Sequence, residues 1–284
     1  MERVPILLDT DPGSDIDDAV AMAYLLHQPR CELLGITTVT GDVQKRAALV
    51  EMICRAAGRE DVPIHIGRRL PLLHGPGQPN VPHYEPVSDL PHRLDRRENT
   101  AVGFLRDTIR SRPGEITLLT IGPYSNIALL FALDPEIPFL VKGLVSMGGQ
   151  FFAPGLEWNA RCDPVATQMV YGTPRRDHLS VGLDVTLQCR LSAEEVHRRF
   201  VGEPLATVLR MTQSWFRHAS DITFHDPLAA AAIFHPDLME TRTGTVTVDS
   251  EGGTSFTEGD GPDRVAETVH RDAFFEEYFD VMRG

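Results

Sequence analysis

Short apolar runs alternate with helical periodicity over the first two thirds of the chain. The predicted strands cover residues 6–9, 33–39, 64–66, 116–120, 144–147 and 179–183. The helices predicted between them cover residues 17–27, 45–57, 99–111, 125–133 and 164–171. Because the strands are apolar throughout, without polar alternation, we expect an α/β fold whose mostly parallel sheet is covered by helices on both faces.

The last third of the chain has a different pattern. Helices are predicted over residues 192–200, 204–218, 227–234 and 271–282, with an antiparallel strand pair at 241–248 and 264–269. Residues 68–93 are rich in Pro, Gly and His and have no periodicity, which favours a functional loop. No repeat or domain boundary is evident, so we expect one domain over residues 1–284.

The first predicted strand and helix are joined by a segment that is dense in acidic residues. The sequence DTDPGSDIDDA contains Asp9, Asp11, Asp15, Asp17 and Asp18. Capping a helix needs one or two such residues. Five would repel one another unless a cation or buried donors balanced them. Carboxylates are the ligands that hard cations such as Ca²⁺ prefer, so the segment predicts a metal site.

Two other interpretations of this segment were weighed. An EF-hand is excluded because Ser14 and Val20 stand where its loop requires Gly and Glu. A phosphoaspartyl enzyme would use Asp9 and Asp11 as its paired carboxylates. It also requires a downstream lysine, and the middle of the chain offers only Lys142, at the start of a predicted strand.

Composition restricts the class of ligand. With 27 Lys and Arg against 40 Asp and Glu, the net charge is −13, which disfavours nucleic acid and anionic membrane surfaces. A small neutral or cationic molecule, or a metal ion, fits this charge. Four widely spaced cysteines, no signal-like leader and no apolar run of about 18 residues lead us to expect a reduced, cytoplasmic protein.

Three further motifs carry candidate chemistry, and one of them, TIGP, falls where a predicted strand ends. FHDP places His225 and Asp226 before a proline that can open a helix. EWN places Glu157 and Asn159 in an irregular segment, where they suit recognition of hydroxyl groups. TIGP ends a strand in a Gly-Pro turn that can aim a backbone carbonyl at a ligand. Ligands of open α/β sheets bind at this carboxyl edge.

Together these motifs resemble those of the inosine-uridine-preferring nucleoside hydrolase family, in the same order from Asp9 to His225. The resemblance implies one Rossmann-like domain and a homodimer or homotetramer. It also implies hydrolysis of the N-glycosidic bond of a nucleoside, with a bound Ca²⁺. The implied calcium ligands are Asp11, Asp18, the Ile121 carbonyl and Asp226.

The same resemblance implies roles for the remaining motif residues. Asp11 would also be the general base, and His225, with a pKa near neutral, would donate a proton to the leaving base. The residues that would bind substrate are Asp17, Met147, Glu157, Asn159 and the loop histidine His74.

The chain departs from the family pattern at several positions. Its PGSDIDD loop is two residues longer than usual, so Asp15 is an alternative to Asp17 or Asp18 for either role. Asp42 stands where the family often has asparagine, which makes it a candidate calcium ligand or a hydrogen-bond acceptor for a water near the metal. A pocket asparagine of many members has no counterpart here, so recognition of the ribose 5′ end is open.

Four questions remain open from the sequence. The substrate could be an unusual ribosyl compound, or the protein could bind a nucleoside without cleaving it. Trp215 and Phe216 could stack on a base or belong to the core. Cys162 is expected to be a buried packing residue. The sequence leaves purine against pyrimidine preference undecided.

Overall fold

A nine-stranded sheet forms the centre of the molecule. The computed structural model describes residues 3–284, and within them the strand order is β10-β9-β11-β6-β5-β4-β1-β2-β3, with β7 and β8 forming a separate pair. The strands are β1 (Val4–Thr10), β2 (Cys31–Thr38), β3 (Ile64–Ile66), β4 (Thr117–Thr120), β5 (Gly143–Met147), β6 (His178–Val181), β7 (Arg190–Ser192), β8 (Asp221–Thr223), β9 (Met239–Val248), β10 (Thr254–Glu258) and β11 (Asp263–Val269).

Helices follow most of the parallel strands. They are α1 (Asp17–His27), α2 (Val43–Ala56), α3 (Ala101–Ser111), α4 (Ser125–Leu133), α5 (Ile137–Leu140), α6 (Trp158–Cys162), α7 (Pro164–Gly172), α8 (Leu183–Thr186), α9 (Ala193–Arg199), α10 (Leu205–Trp215), α11 (His225–Ala232) and α12 (Arg271–Arg283). Two 3-10 turns cover Pro82–Val87 and Pro236–Leu238. No helix within residues 3–284 combines the length and the apolar character that crossing a membrane requires.

The parallel, doubly covered sheet that the apolar strands predict is confirmed. From β3 through β2, β1, β4, β5 and β6 to β11, every neighbouring pair is parallel. In β1, Ile6 and Leu8 pack into the core on one face of the sheet and Leu7 into the core on the other, and all three are fully buried. Both faces must therefore be apolar, which explains the uninterrupted runs.

Several predicted elements required correction. Residues 179–183 do not form one strand, since β6 ends at Val181 and Leu183 begins α8. The helix predicted from residue 227 begins at His225. The predicted antiparallel pair, β9 with β11, is confirmed. The pattern missed β10, because this edge strand pairs only with β9 and most of its side chains reach solvent.

The strand ends place the candidate residues along one edge. Thr10 pairs with Thr38, and Asp9 pairs with both Thr37 and Thr120, so β1, β2 and β4 finish at the same level. Thr120 in turn pairs with Ser146, near the end of β5. The segments that follow these four strands therefore converge, and the acidic loop after β1 lies at their centre.

His178 on β6 predicts an acid sensitivity of the fold. Its Nε2 lies 2.8 Å from the Ser146 hydroxyl, and burial, followed by the charges of Arg175 and Arg264, lowers its pKa well below 6.5. Below pH 6.5, His178 therefore binds a proton in the unfolded chain but stays neutral in the folded chain. Relative to His178→Gln, the wild type should lose about 1.4 kcal/mol of unfolding free energy per pH unit below 6.5. Urea unfolding at pH 7.5 and 5.5 measures this, and parallel losses in both proteins would contradict it.

Candidate active site

The acidic loop after β1 is folded back onto the start of α1. One oxygen of Asp18 accepts hydrogen bonds from the Thr10 hydroxyl (2.5 Å) and from the Asp11 backbone N–H (3.0 Å). Helix α1 begins without a side-chain cap, so the aspartates of its first turn do not serve as caps. Helix capping therefore does not account for the acidic segment.

Helix α11 brings a further acid to this point. Asp17, Asp18 and Asp226 are all buried, and each offers a carboxylate oxygen within 4.8 Å of the others. The backbone N–H of Asp226 donates to Asp17 at 3.0 Å, which ties the first turn of α11 to that of α1. Segments more than 200 residues apart thus meet in one group of carboxylates, which we call the aspartate cluster (Asp11, Asp17, Asp18 and Asp226).

The electrostatics of the aspartate cluster show a deficit of positive charge. Burial raises the pKa of Asp11, Asp17 and Asp226 well above 3.8, and neighbouring carboxylates raise it further. For Asp18, burial raises the pKa to about 6, although the Thr10 hydrogen bond and the Arg46 charge act in the opposite direction. Carboxylates in this setting ionise readily only when a cation is nearby.

Arg46 of α2 is the buried cation beside this cluster. Its side chain is fully buried, and a guanidinium nitrogen lies 3.7 Å from the Asp11 carboxylate. The guanidinium also donates to the backbone carbonyls of Asp11, Pro12, Thr40 and Gln78 and to the Ser14 hydroxyl. Arg46 therefore fixes the acidic loop against two other segments. Its sequence position gives no signal of this role, because basic residues are common on helices.

The opposite wall is built from α6 and the ends of β4 and β5. Glu157 caps α6 by accepting from the backbone N–H groups of Asn159 (2.7 Å), Ala160 (2.9 Å) and Gly149 (3.1 Å). The Asn159 amide donates to the carbonyls of Ile121 (2.8 Å) and Met147 (3.2 Å). These bonds hold the EWN motif rigidly against the strand ends.

A cavity of about 360 Å³ lies between the two walls. Its lining residues are Asp11, Ser14, Asp15, Asp17, Asp18, Gln78, Ile121, Met147, Leu156, Glu157, Trp158, Asn159, Leu183, Trp215, His225 and Asp226. The structure therefore brings together every residue predicted for the site except His74 and Asp42. The volume is that of a small-molecule site, rich in hydrogen-bond acceptors.

His225 lies at the first position of α11, beside the aspartate cluster. Its Nδ1 is 2.7 Å from the Thr186 hydroxyl, which fixes the ring. Burial, followed by the charge of Arg190, lowers its pKa to about 4. The imidazole is thus neutral at pH 7, which corrects the near-neutral pKa expected from the sequence. Its burial depends on packing from distant segments, which the HDP motif does not reveal.

Known proteins are similar to this chain over most of its length. The family model described as inosine-uridine preferring nucleoside hydrolase matches residues 6–276. The chain belongs to this nucleoside hydrolase family. It is 31% identical to uridine nucleosidase 1 of Arabidopsis thaliana over 271 residues, covering 87% of this chain and 79% of that protein. It is 32% identical to the non-specific ribonucleoside hydrolase RihC of Escherichia coli, covering 91% of this chain and 90% of that protein.

Solved structures agree with this assignment. The plant nucleoside hydrolase PpNRh1 superposes with a TM-score of 0.86 at 25% identity, covering 98% of each chain. The fold, the order of the motifs and the relatives therefore all identify this nucleoside hydrolase as a glycosidase that acts on nucleosides.

Two residues predicted for the site lie outside the cavity of this nucleoside hydrolase. His74 is exposed, and its Nε2 is 3.3 Å from the Ser250 carbonyl, on the tip between β9 and β10. Asp42 caps α2 by accepting from the Lys45 backbone N–H at 3.2 Å. The structure thus gives both residues local roles, in a loop contact and a helix cap.

The aromatic pair of α10 divides between two environments. Trp215 lines the cavity, and its indole N–H donates to the Asp221 carbonyl at 2.8 Å. Phe216 stacks on His197 instead, with ring centroids 5.6 Å apart. Cys162 is buried as expected, and its thiol contacts the Gly77 carbonyl at 3.3 Å.

Five lining residues were not predicted as site residues. They are Ser14, Gln78, Leu156, Trp158 and Leu183. Leu156 and Trp158 flank Glu157, so the EWN motif could have indicated them. Gln78 lies in the long aperiodic loop. The sequence predicted that this loop is functional but did not single out Gln78.

Proposed function

We propose that this nucleoside hydrolase cleaves ribonucleosides to the free base and ribose, with Ca²⁺ held by the aspartate cluster. The observation that carries the proposal is the convergence of buried carboxylates from α1 and α11 in the floor of the cavity. Their raised pKa values indicate that the site favours a bound cation.

The donor set of the cavity fits a calcium ion. Hydrogen bonds within residues 3–284 occupy one oxygen of Asp18 and one of Asp17, which leaves the other oxygen of each available. Ile121 also lines the cavity, and its carbonyl accepts one hydrogen bond, from the Asn159 amide, which leaves it a second lone pair. All these groups are hard oxygen ligands of the kind that Ca²⁺ prefers. Asp17, Asp18 and Asp226 are the carboxylates that the structure brings within 4.8 Å of one another. Following the family resemblance, we assign Asp18, Asp226, Asp11 and the Ile121 carbonyl as ligands, with Asp17 beside them.

The residues of the cavity can then carry out the hydrolysis. When bound, Ca²⁺ would lower the pKa of a water molecule and orient it. Asp11 accepts a proton from water as the general base, and the oxygen attacks the anomeric carbon of the ribose. The electrons of the N-glycosidic bond pass to the base. The carboxylates of the aspartate cluster favour the positive charge that develops on the ribose ring.

Binding and departure of the substrate involve the remaining side chains. The free oxygen of Asp17 and the side-chain carbonyl of Asn159 can accept hydrogen bonds from ribose hydroxyls. His225 is neutral, so its N–H donates a hydrogen bond that stabilises the negative charge on the departing base. A neutral imidazole is too weak an acid to give up this proton, so the base leaves as an anion and takes its proton from water. Trp215 and Trp158 supply aromatic surface at the cavity wall.

A panel of nucleosides tests this proposal. Reducing-sugar release would be measured from inosine, uridine, adenosine, cytidine and guanosine, with calcium and with a chelator. We expect release that stops on chelation and returns when calcium alone is added. Release that persists without bound metal would reject the role of calcium. The same panel decides base preference, since relatives are named for uridine and for non-specific activity.

A modified ribosyl compound is the second candidate substrate. Ser14 and Asp15, from the acidic loop that is two residues longer than usual, both line the cavity. An extra carboxylate there could bind a donor group that ordinary ribose lacks. Efficient turnover of unmodified nucleosides would reject this candidate. An assembly of two or four chains, which the resemblance implies, can be measured by light scattering.

A further inference from the structure

The carboxamide of Gln78 stands apart from the other polar side chains of the cavity. The Gln78 side chain is half-buried at the cavity wall. Within residues 3–284, neither its side-chain oxygen nor its side-chain nitrogen forms a hydrogen bond, and the hydrogen bonds of Gln78 involve its backbone. By contrast, hydrogen bonds hold Glu157 and the amide nitrogen of Asn159. An unpaired amide facing a small-molecule site offers one acceptor and two donors to a ligand.

The backbone that carries this side chain is held in place. The Gln78 N–H donates to the Thr40 hydroxyl at 3.0 Å, and the Gln78 carbonyl accepts from Arg46 at 2.7 Å. A Cβ on Gly41 would lie 2.1 Å from the same carbonyl, and Gly41 has φ +65°, so this close approach requires glycine. The backbone that carries the carboxamide is therefore held in place, which reduces the entropic cost of binding a ligand.

Arg46 also connects the backbone of Gln78 to the loop that carries the proposed general base, Asp11. The Arg46 guanidinium donates both to the Gln78 carbonyl and to the backbone carbonyl of Asp11. The backbone of Gln78 is thus held beside that of the general base, although it lies on a different loop. A side chain on this backbone can contact a substrate group that lies at a particular distance from the N-glycosidic bond.

We propose that Gln78 is a specificity-determining residue that hydrogen-bonds a neutral polar group of the nucleoside remote from the bond that is broken. That group is either the ribose 5′-hydroxyl or a polar edge of the base, both of which match a carboxamide. A charged group would instead be drawn to or repelled by the carboxylates. The inference rests on the proposed function, because it takes a nucleoside as the ligand.

The experiment compares Gln78→Ala with a matched control, Gln213→Ala, on the whole enzyme. Gln213 is exposed and lines a neighbouring cleft outside the catalytic cavity. The substrates are inosine, uridine, their 5′-deoxy forms and 4-nitrophenyl ribofuranoside, which has no nucleobase. We expect Gln78→Ala to lower kcat/KM about tenfold only for substrates that carry the recognised group. Gln213→Ala should match the wild type throughout.

Comparison of the five substrates identifies the nucleoside group that Gln78 contacts. If Gln78 binds the 5′-hydroxyl, the variant equals the wild type on the 5′-deoxy nucleosides. If it binds the base, the variant equals the wild type on the nitrophenyl riboside. An equal loss on all five substrates, or no loss on any, would overturn the proposal.

Failure of the proposed function would be seen separately, as absence of ribose release by the wild-type enzyme. Calorimetric titration of the same five compounds would then decide the role of Gln78. Binding weakened about tenfold in Gln78→Ala, and only for compounds that carry the group, would support it. Equal affinities of variant and wild type would overturn it.

Discussion

Replacing Asp11 by asparagine is expected to lower kcat for ribose release by at least about a thousandfold, because an amide cannot accept the proton of the attacking water. The change is nearly isosteric. The acidic loop should keep its position, since Arg46 and Asp18 also hold it through the backbone carbonyl and N–H of residue 11, although the 3.7 Å ion pair of the Asp11 carboxylate with Arg46 is lost. Single-turnover ribose release from the preferred nucleoside measures the effect, and circular dichroism verifies the fold.

Asp42→Asn is the matched control for this experiment. It makes the same chemical change in a carboxylate that caps α2 outside the cavity. We expect kcat to stay near the wild-type value and stability to fall by about 1 kcal/mol or less. If Asp11→Asn retained a tenth of the wild-type kcat, Asp11 would not be the general base. If Asp42→Asn lost activity equally, the proposed division between catalytic and structural aspartates would be wrong.

The sheet could be predicted because each parallel strand is buried on two faces. Ile6, Leu7 and Leu8 all had to be apolar, so the sequence showed an uninterrupted run. No such constraint acts on β10, where only one neighbour pairs and Ser255, Thr257 and Glu258 are exposed. Its sequence, TSFTE, therefore resembles a loop, and only the fold reveals it as a strand.

The residues of the candidate site also differ in whether the sequence could predict them. Contiguous motifs such as DTDPG and HDP indicated the aspartates because their chemistry is visible within a few residues. Arg46 and Gln78 gave no such signal, because each gains its role from contact with a distant loop. The pKa of His225 was expected near neutral for a related reason, since its burial comes from segments far from it in the chain.

His225→Ala is expected to slow hydrolysis of inosine or uridine by about a hundred- to a thousandfold, while 4-nitrophenyl ribofuranoside changes less than about threefold. A nucleobase departs poorly without an N–H donor, whereas nitrophenolate is stable as an anion. The Thr186 hydroxyl lies 2.7 Å from Nδ1 of His225. The proposed role requires the tautomer in which this hydroxyl donates to Nδ1 and the ring proton is on Nε2. Both substrates use the same ribose contacts and the same general base, so a defect in either would affect them equally.

His74→Ala is the matched control, because this histidine is exposed and contacts the Ser250 carbonyl outside the cavity. It should leave kcat/KM for both substrates unchanged, and a selective loss on nucleosides would restore the predicted contact of His74 with the base. If His225→Ala slowed the nitrophenyl riboside as much as inosine, His225 would act before the base departs, by holding Asp226 and the start of α11 in place. A loss confined to nucleosides would instead show that the neutral imidazole acts on the departing base, and that activation of the water does not require His225.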